Sequence, residues 1–286
     1  MNINIHSHSS PLGDWRVSIL QPPPDLATWV TDIWDGEGVT HYATESILPS
    51  GGVEILINLG PEHFLLDGNF PQRRVRYKEV WVSGLQQRRL LIQAQQYSHV
   101  IGARFTPIGA WKFFGIPLRE LTDQVLDLDS VLGSSLLQIR EQMLNHRDPH
   151  WRLHRLLSFM RRRLHAGPAL HSAVQLSWMR LCGGRGQYRI TELLAETGIS
   201  QKHLTRVFQQ QIGVSPKPYA QLLKFQHALS LLHGQSQTDF GRLAQDCGYY
   251  DQAHFHRDFR RFSGVTPKAY IEQQIPDDIT KAMRID

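Results

Sequence analysis

The sequence predicts an α+β protein: an antiparallel β barrel or sandwich first, a short helical stretch next, then an all-α last third in which one unit is used twice. Three observations carry this. Residues 12–106 hold short β-branched and aromatic runs separated by Gly, Pro and Asn/Asp turns. After Pro107 the apolar residues fall at helical spacing. From Leu204 onward, a series of residues recurs 51 positions later. At 286 residues the chain suits two domains, each large enough to bury a core.

In the first region the strand-like runs are Ser46-Ile-Leu, Val53 to Leu59, Glu79-Val-Trp-Val-Ser and Ser98 to Phe105. His6-Ser-His8 reads as part of an N-terminal tail. Glu54 and Arg104 interrupt otherwise apolar strands. A buried charge has to be paired or placed beside a ligand, so these two are either an ion pair or the polar groups of an effector pocket. His6, His8, His41 and His63 lack the spacing of a metal site. No metal, no other cofactor and no catalytic residue is expected.

The helical stretch holds two amphipathic segments, Val131 to Leu144 and Trp151 to Leu164, the second with Leu153, Leu156, Leu157 and Met160 on one face. They are either a self-association surface, giving a homodimer, or a cover for the open end of the barrel. Arg161-Arg-Arg163 closes the second segment, where cations suit the helix dipole. Ala166-Gly-Pro-Ala marks a break, after which Pro168 opens a helix from Ala169 to Leu181.

The repeat pairs Arg206, Phe208, Gly213, Val214, Ser215, Pro216, Lys217 and Tyr219 with Arg257, Phe259, Gly264, Val265, Thr266, Pro267, Lys268 and Tyr270. Upstream, Ile190, Leu193 and Gly198 match Phe240, Leu243 and Gly248 with one residue of register change. Each unit starts with a short helix ended by a Gly suited to positive φ. A turn follows, then a second helix behind a capping residue, Ser200 or Asp251. That is a helix-turn-helix, whose second helix fits the DNA major groove. Its outward face carries Gln201, Lys202, Thr205, Arg206 and Gln209 in the first unit, and Gln252, Ala253, His256, Arg257 and Arg260 in the second. Arg reads guanine, Gln reads adenine, and Thr or Ala meets a thymine methyl. Arg206 and Arg257 have a second reading, as residues bonded to a neighbouring helix. A helix from Lys217 to about Leu232 joins the units and spans about 24 Å at 1.5 Å per residue, against about 34 Å for a DNA turn.

Charge agrees. Residues 171–270 hold twelve Lys/Arg against six Asp/Glu, while the rest of the chain holds 19 against 20. An anionic partner would therefore meet this third. Apolar runs such as Val53 to Leu59 are far short of the roughly 20 residues of a membrane span, the N-terminus lacks a signal-peptide pattern, and Cys182 and Cys247 sit without a ligand or redox spacing. A cytoplasmic protein that is not membrane-bound is expected.

From Ser172 to Tyr270, above all in Gly248-Tyr-Tyr-Asp-Gln-Ala-His-Phe-His-Arg-Asp-Phe-Arg-Arg-Phe-Ser-Gly-Val-Thr-Pro-Lys-Ala-Tyr270, the chain resembles the C-terminal domain of the AraC/XylS family of transcription regulators. Leu194 departs from the family's usual Ala. The resemblance implies a seven-helix domain, base and backbone contacts from the outer faces just named, and double-stranded promoter DNA as partner, with RNA polymerase as a further partner for an activator. Leu48 to Asn58, Val82-Ser-Gly84 and Gly102 to Gly109 resemble, with less specificity, the family's cupin-like sensor region, which implies a small-molecule effector or dimerisation.

The expected organisation is thus a β-rich cupin-like sensor region at 1–120, a helical dimerisation or linker region at 121–166, a DNA-binding domain at 167–272 with units at about 190–212 and 239–263, and a tail at 273–286. The competing readings are a constitutive regulator whose N-terminal part only dimerises, and a DNA-targeted cupin-type enzyme. An Ada-like alkyl transferase needs a reactive Cys, and the N-terminal half has none.

Overall fold

A computed structural model describes residues 3–66, 74–93, 95–235, 238–274 and 283–285. Ten strands come first: β1 (Ile3–Ser10), β2 (Gly13–Leu20), β3 (Val30–Thr40), β4 (Thr44–Ile47), β5 (Val53–Asn58), β6 (His63–Leu66), β7 (Arg74–Tyr77), β8 (Val80–Ser83), β9 (Leu90–Gln93) and β10 (Tyr97–Phe105). Helix α1 (Pro107–Phe114), a 3-10 turn at Leu118–Glu120, β11 (Val125–Asp127), α2 (Asp129–Leu132), α3 (Ser135–Leu144) and α4 (Pro149–Ala166) follow. The last part is α5 (Ser172–Gly183), α6 (Ile190–Thr197), α7 (Gln201–Ile212), α8 (Pro216–Leu232), α9 (Phe240–Asp246), α10 (Gln252–Ser263), α11 (Pro267–Gln273) and β12 (Met283–Ile285).

The strands form two antiparallel sheets, ordered β1-β2-β3-β10-β5-β8-β11 and β12-β4-β9-β6-β7. Period-2 alternation gives the larger sheet two unlike faces. Val53, Ile55 and Ile57 of β5 and Ile101, Ala103 and Phe105 of β10 are buried, all on one face. Glu54 and Leu56 line a cavity between the sheets from the other. The buried face is covered by helices. Leu153, Leu156, Leu157 and Met160 of α4, and Leu136, Ile139 and Met143 of α3, are all at most 2% exposed. The apolar stripe offered by the sequence as a self-association surface is thus spent on the barrel; of the named residues, Leu144 at 46% is the outlying exception.

Three local expectations are corrected. His6 and His8 lie not in a tail but in β1, paired with Val17 and Trp15 of β2, and the His8 ring stacks on Trp15 at 4.0 Å. Helix α5 begins at Ser172, three residues after the expected Ala169, because the His171 side chain accepts from Ala173 N and caps it there. Of the expected tail, Met283–Ile285 pairs with β4, and 275–282 and Asp286 lie outside the described residues.

Arginines fasten the helices to the barrel. Asp35, on the helix side of β3, accepts from Arg152 Nε of α4 at 2.7 Å and meets His99 Nε2 at 3.0 Å. In the basic cluster, Arg161 pairs with Asp25 at 2.9 Å and Arg163 Nε donates to Phe113 O at 3.2 Å. Both have structural partners.

Candidate nucleic-acid interface

The last third builds the same device twice. In the first unit the Glu192 side chain accepts from Arg189 N at 3.2 Å, and α6 ends at Gly198 with φ 67°, a conformation that disfavours residues with a Cβ. The Ser200 hydroxyl then accepts from His203 N and starts α7. Leu204, Val207, Phe208 and Ile212 are buried, a spacing that turns the opposite side of α7 outward. In the second unit Asp239 caps α9 by accepting from Gly241 N and Arg242 N. Gly248 takes φ 72°, and Asp251 accepts from His254 N at 2.7 Å to start α10. Phe255, Phe259 and Phe262 fill its inner face.

All ten sequence-derived contact residues face outward. Gln201, Lys202, Arg206, Gln209, Gln252, Ala253, Arg257 and Arg260 are exposed, while Thr205 and His256 are half-buried. His256 meets the edge of Phe240 at 5.5 Å, so part of its role is local packing. Among the described residues, neither Arg206 nor Arg257 has a hydrogen-bond or ion-pair partner. Their second reading, as residues tied to a neighbouring helix, finds no bond to support it. Asp258, on the inner side of α10, instead takes the ion pairs from His254 and Arg261, both at 3.8 Å.

Sequence reasoning missed Tyr250. It is 92% exposed in the turn before α10, the most exposed large apolar side chain among the described residues. No local signal marks it, because an apolar residue just before an N-cap commonly packs on the fourth residue of the helix, here Phe255. Leu194, the departure from the usual Ala, is accommodated half-buried against the core.

Helix α8 gives the two units a common core. Its Tyr219 ring lies 5.9 Å from Phe208 of α7, and its Phe225 lies 5.3 Å from Phe259 and 4.9 Å from Phe262 of α10. Interlocked aromatic packing of this kind fixes one orientation of the two outer faces.

This duplicated geometry coincides with a match to a family model described as a helix-turn-helix domain, over residues 193–273. A solved AraC family regulator from Rhodopseudomonas palustris is 31% identical, over 36% of this chain and 96% of that one, with a TM-score of 0.33. The chain belongs to the AraC/XylS family. The activator RhaR of Yersinia pseudotuberculosis is 32% identical over 82 residues, 29% of this chain and 28% of that protein. The chain thus aligns with little more than a quarter of the length of such curated relatives. ToxT from Vibrio cholerae aligns along 91% of this chain and 98% of its own, at 10% identity and a TM-score of 0.46. Residues 18–127 match a domain of unknown function, DUF6597.

In this family member the N-terminal sheets enclose a cavity of about 270 Å³. Of the two sequence-derived pocket residues, Glu54 lines it and Arg104 does not. Arg104 Nε donates to Glu54 Oε1 at 2.7 Å and its Nη1 to Asp32 Oδ2 at 3.1 Å. β10 and β5 place Arg104 opposite Glu54. The ion-pair reading therefore holds in the structure, and Glu54 still presents to the cavity. Burial raises the pKa of Asp32 despite the opposing charge of Arg104.

The cavity is tied to the reader. β9 lines it with Leu90 and Ile92, and Arg89, just before β9, donates its backbone N–H to Phe262 O at the end of α10 at 2.9 Å. The loop between β4 and β5 offers Pro49 O to the Gln226 amide of α8. Thr122 Oγ1 donates to Gly213 O after α7 at 3.0 Å. Helix α8 and the C-terminal ends of α7 and α10 thus touch the N-terminal domain.

Proposed function

We propose that the protein is a sequence-specific DNA-binding transcription regulator, not an enzyme, in which α7 and α10 enter successive major grooves of promoter DNA. The observation that carries this is the repeated outward face, with Arg206 and Arg257 at the same place in each unit and without hydrogen-bond or ion-pair partners among the described residues. Helix α8 has 17 residues and so spans about 25 Å, compatible with two helices presented about one DNA turn apart. Lys217 and Lys268, exposed in the first turns of α8 and α11, lie where helix N-termini and cations attract phosphate. Tyr250 adds a hydroxyl beside the second reading helix. The cavity supports control by a small molecule, because strands that line it continue into segments bonded to α8 and α10. An activator of this kind would also contact RNA polymerase.

Selection of sites from a random duplex pool tests the reading. The selected sequences are expected to contain two unlike half-elements with centres about 10–10.5 base pairs apart. Recovery of one short element with random flanks would contradict it.

A further inference from the structure

Side chains along β3 alternate between two sites. Trp34, Gly36 and Gly38 face the cavity between the sheets, whose wall also holds Trp15, Trp81 and Phe64. Asp35 and Glu37 point the other way, toward the helices. There a second pocket, of about 320 Å³, opens between the β3–β10 face and the turn that joins α3 to α4. Glu37, Arg147 and Arg152 bring charge to its wall, and Leu59 and Leu144 bring apolar surface.

Opposite charges share this pocket without meeting. Arg152 gives Nε to Asp35 and Nη1 to His146 O, both at 2.7 Å. Its remaining nitrogen, Nη2, makes no bond among the described residues and is not one of the atoms sealed in the interior. The side chain is only 6% exposed, and the surface it keeps lies on the pocket. Arg147, exposed at the rim, has no hydrogen-bond or ion-pair partner among the described residues. Glu37 accepts from the Tyr97 hydroxyl at 2.9 Å, a neutral partner that leaves its charge in place. Among the described residues no ion pair reaches it, although Arg16 is its register neighbour on β2. Asp35, the other carboxylate here, is already taken up by Arg152 and His99. A buried guanidinium with a spare N–H and a carboxylate with a spare oxygen thus stand in one pocket unjoined. They suit a molecule that offers an acceptor to the first and a donor to the second, because charged hydrogen bonds are the strong ones.

We propose that this second pocket binds a small zwitterion, an α-amino acid with an aliphatic side chain. Its carboxylate lies on Arg152 Nη2 and Arg147, its ammonium on Glu37, and its side chain on Leu59 and Leu144. The site is separate from the cavity between the sheets and does not rest on that cavity's being an effector site. Its volume of about 320 Å³ lies near the lower end of ligand pockets, which run to roughly 300–1,000 Å³, and suits a molecule of this size.

The test uses the full chain and three probes: leucine, 4-methylpentanoate, which is leucine without its ammonium, and 3-methylbutylamine, which is leucine without its carboxylate. Binding is followed by calorimetry. Leucine is expected to bind about tenfold or more tightly than either probe with a single charge, since each lacks one charged hydrogen bond. Glu37→Gln should bring leucine down to the affinity of 4-methylpentanoate without weakening the latter. Arg147→Gln should weaken both. Melting curves of the two variants without probe check that they fold; Arg152 itself is left intact, because its loss would strand the Asp35 carboxylate. Binding of 4-methylpentanoate or 3-methylbutylamine as tight as that of leucine would overturn the zwitterion assignment. So would a leucine affinity that neither substitution changes, or no binding of leucine at millimolar concentration.

Discussion

Replacing Asp35 by Asn is expected to lower the stability of the N-terminal domain by about 3–5 kcal/mol at pH 7, the usual cost of leaving one member of a buried ion pair uncompensated. The Arg152 side chain is 6% exposed and that of Asp35 is 3% exposed. Without the carboxylate, the guanidinium keeps only the His146 O contact of its Nη1 at 2.7 Å and loses the bond from its Nε. The same pair predicts a pH dependence. Burial would raise the Asp35 pKa, but the hydrogen bonds from His99 and Arg152 outweigh it and hold the carboxyl below its ordinary value. A carboxyl with a depressed folded pKa contributes stability that is complete above the unfolded value, near 4, and is lost as pH falls through the lower folded value. Urea unfolding of wild type should weaken across that acid range, and the Asn variant should lack this part of the slope. A variant within 1 kcal/mol of wild type at pH 7 would show that the cluster does not fasten α4 to the barrel.

Arg257→Ala is expected to cost about 1–3 kcal/mol of binding to the selected site, with relaxed discrimination at one base pair. The side chain is exposed on α10 and makes no hydrogen bond or ion pair among the described residues. Stability should therefore be unchanged, which separates this loss from misfolding. Fluorescence anisotropy with the selected duplex and with a scrambled one decides between base reading and phosphate contact. Equal losses on both duplexes, with a salt slope reduced by about one, would make Arg257 a phosphate clamp. Arg206→Ala should act in the same direction at the other half-element, and the two losses should add, because the side chains share no partner.

The reader was legible in the sequence because its signals are local. Caps at Ser200 and Asp251, glycines at 198 and 248, and apolar spacing in α7 and α10 each act within a few residues. Repetition by 51 positions then doubled every one of them. The N-terminal domain was legible only as a class. Which strand neighbours which is a long-range outcome: β10 lies between β3 and β5, and β12, more than 200 residues away in sequence, extends the smaller sheet at β4. Glu54 and Arg104 could be recognised as a pair or a pocket but not as both; pairing across β5 and β10 makes the bond, while the pleat turns Glu54 to the cavity. The cavity aromatics went unread although Trp34, Gly36 and Gly38 alternate along β3. One large residue followed by glycines at period two on the same face marks a strand that makes room for something, here the indoles themselves.

The central claim is that one chain reads two grooves with a fixed separation. Insertion of five base pairs between the two half-elements of the selected site tests it most directly, because half a turn of DNA carries one half-element to the opposite side of the duplex. Affinity is expected to fall to the level of a single half-element, and restoring a full turn should not recover it, since α8 holds the helices at one spacing. Undiminished binding to the five-base-pair insertion would contradict it.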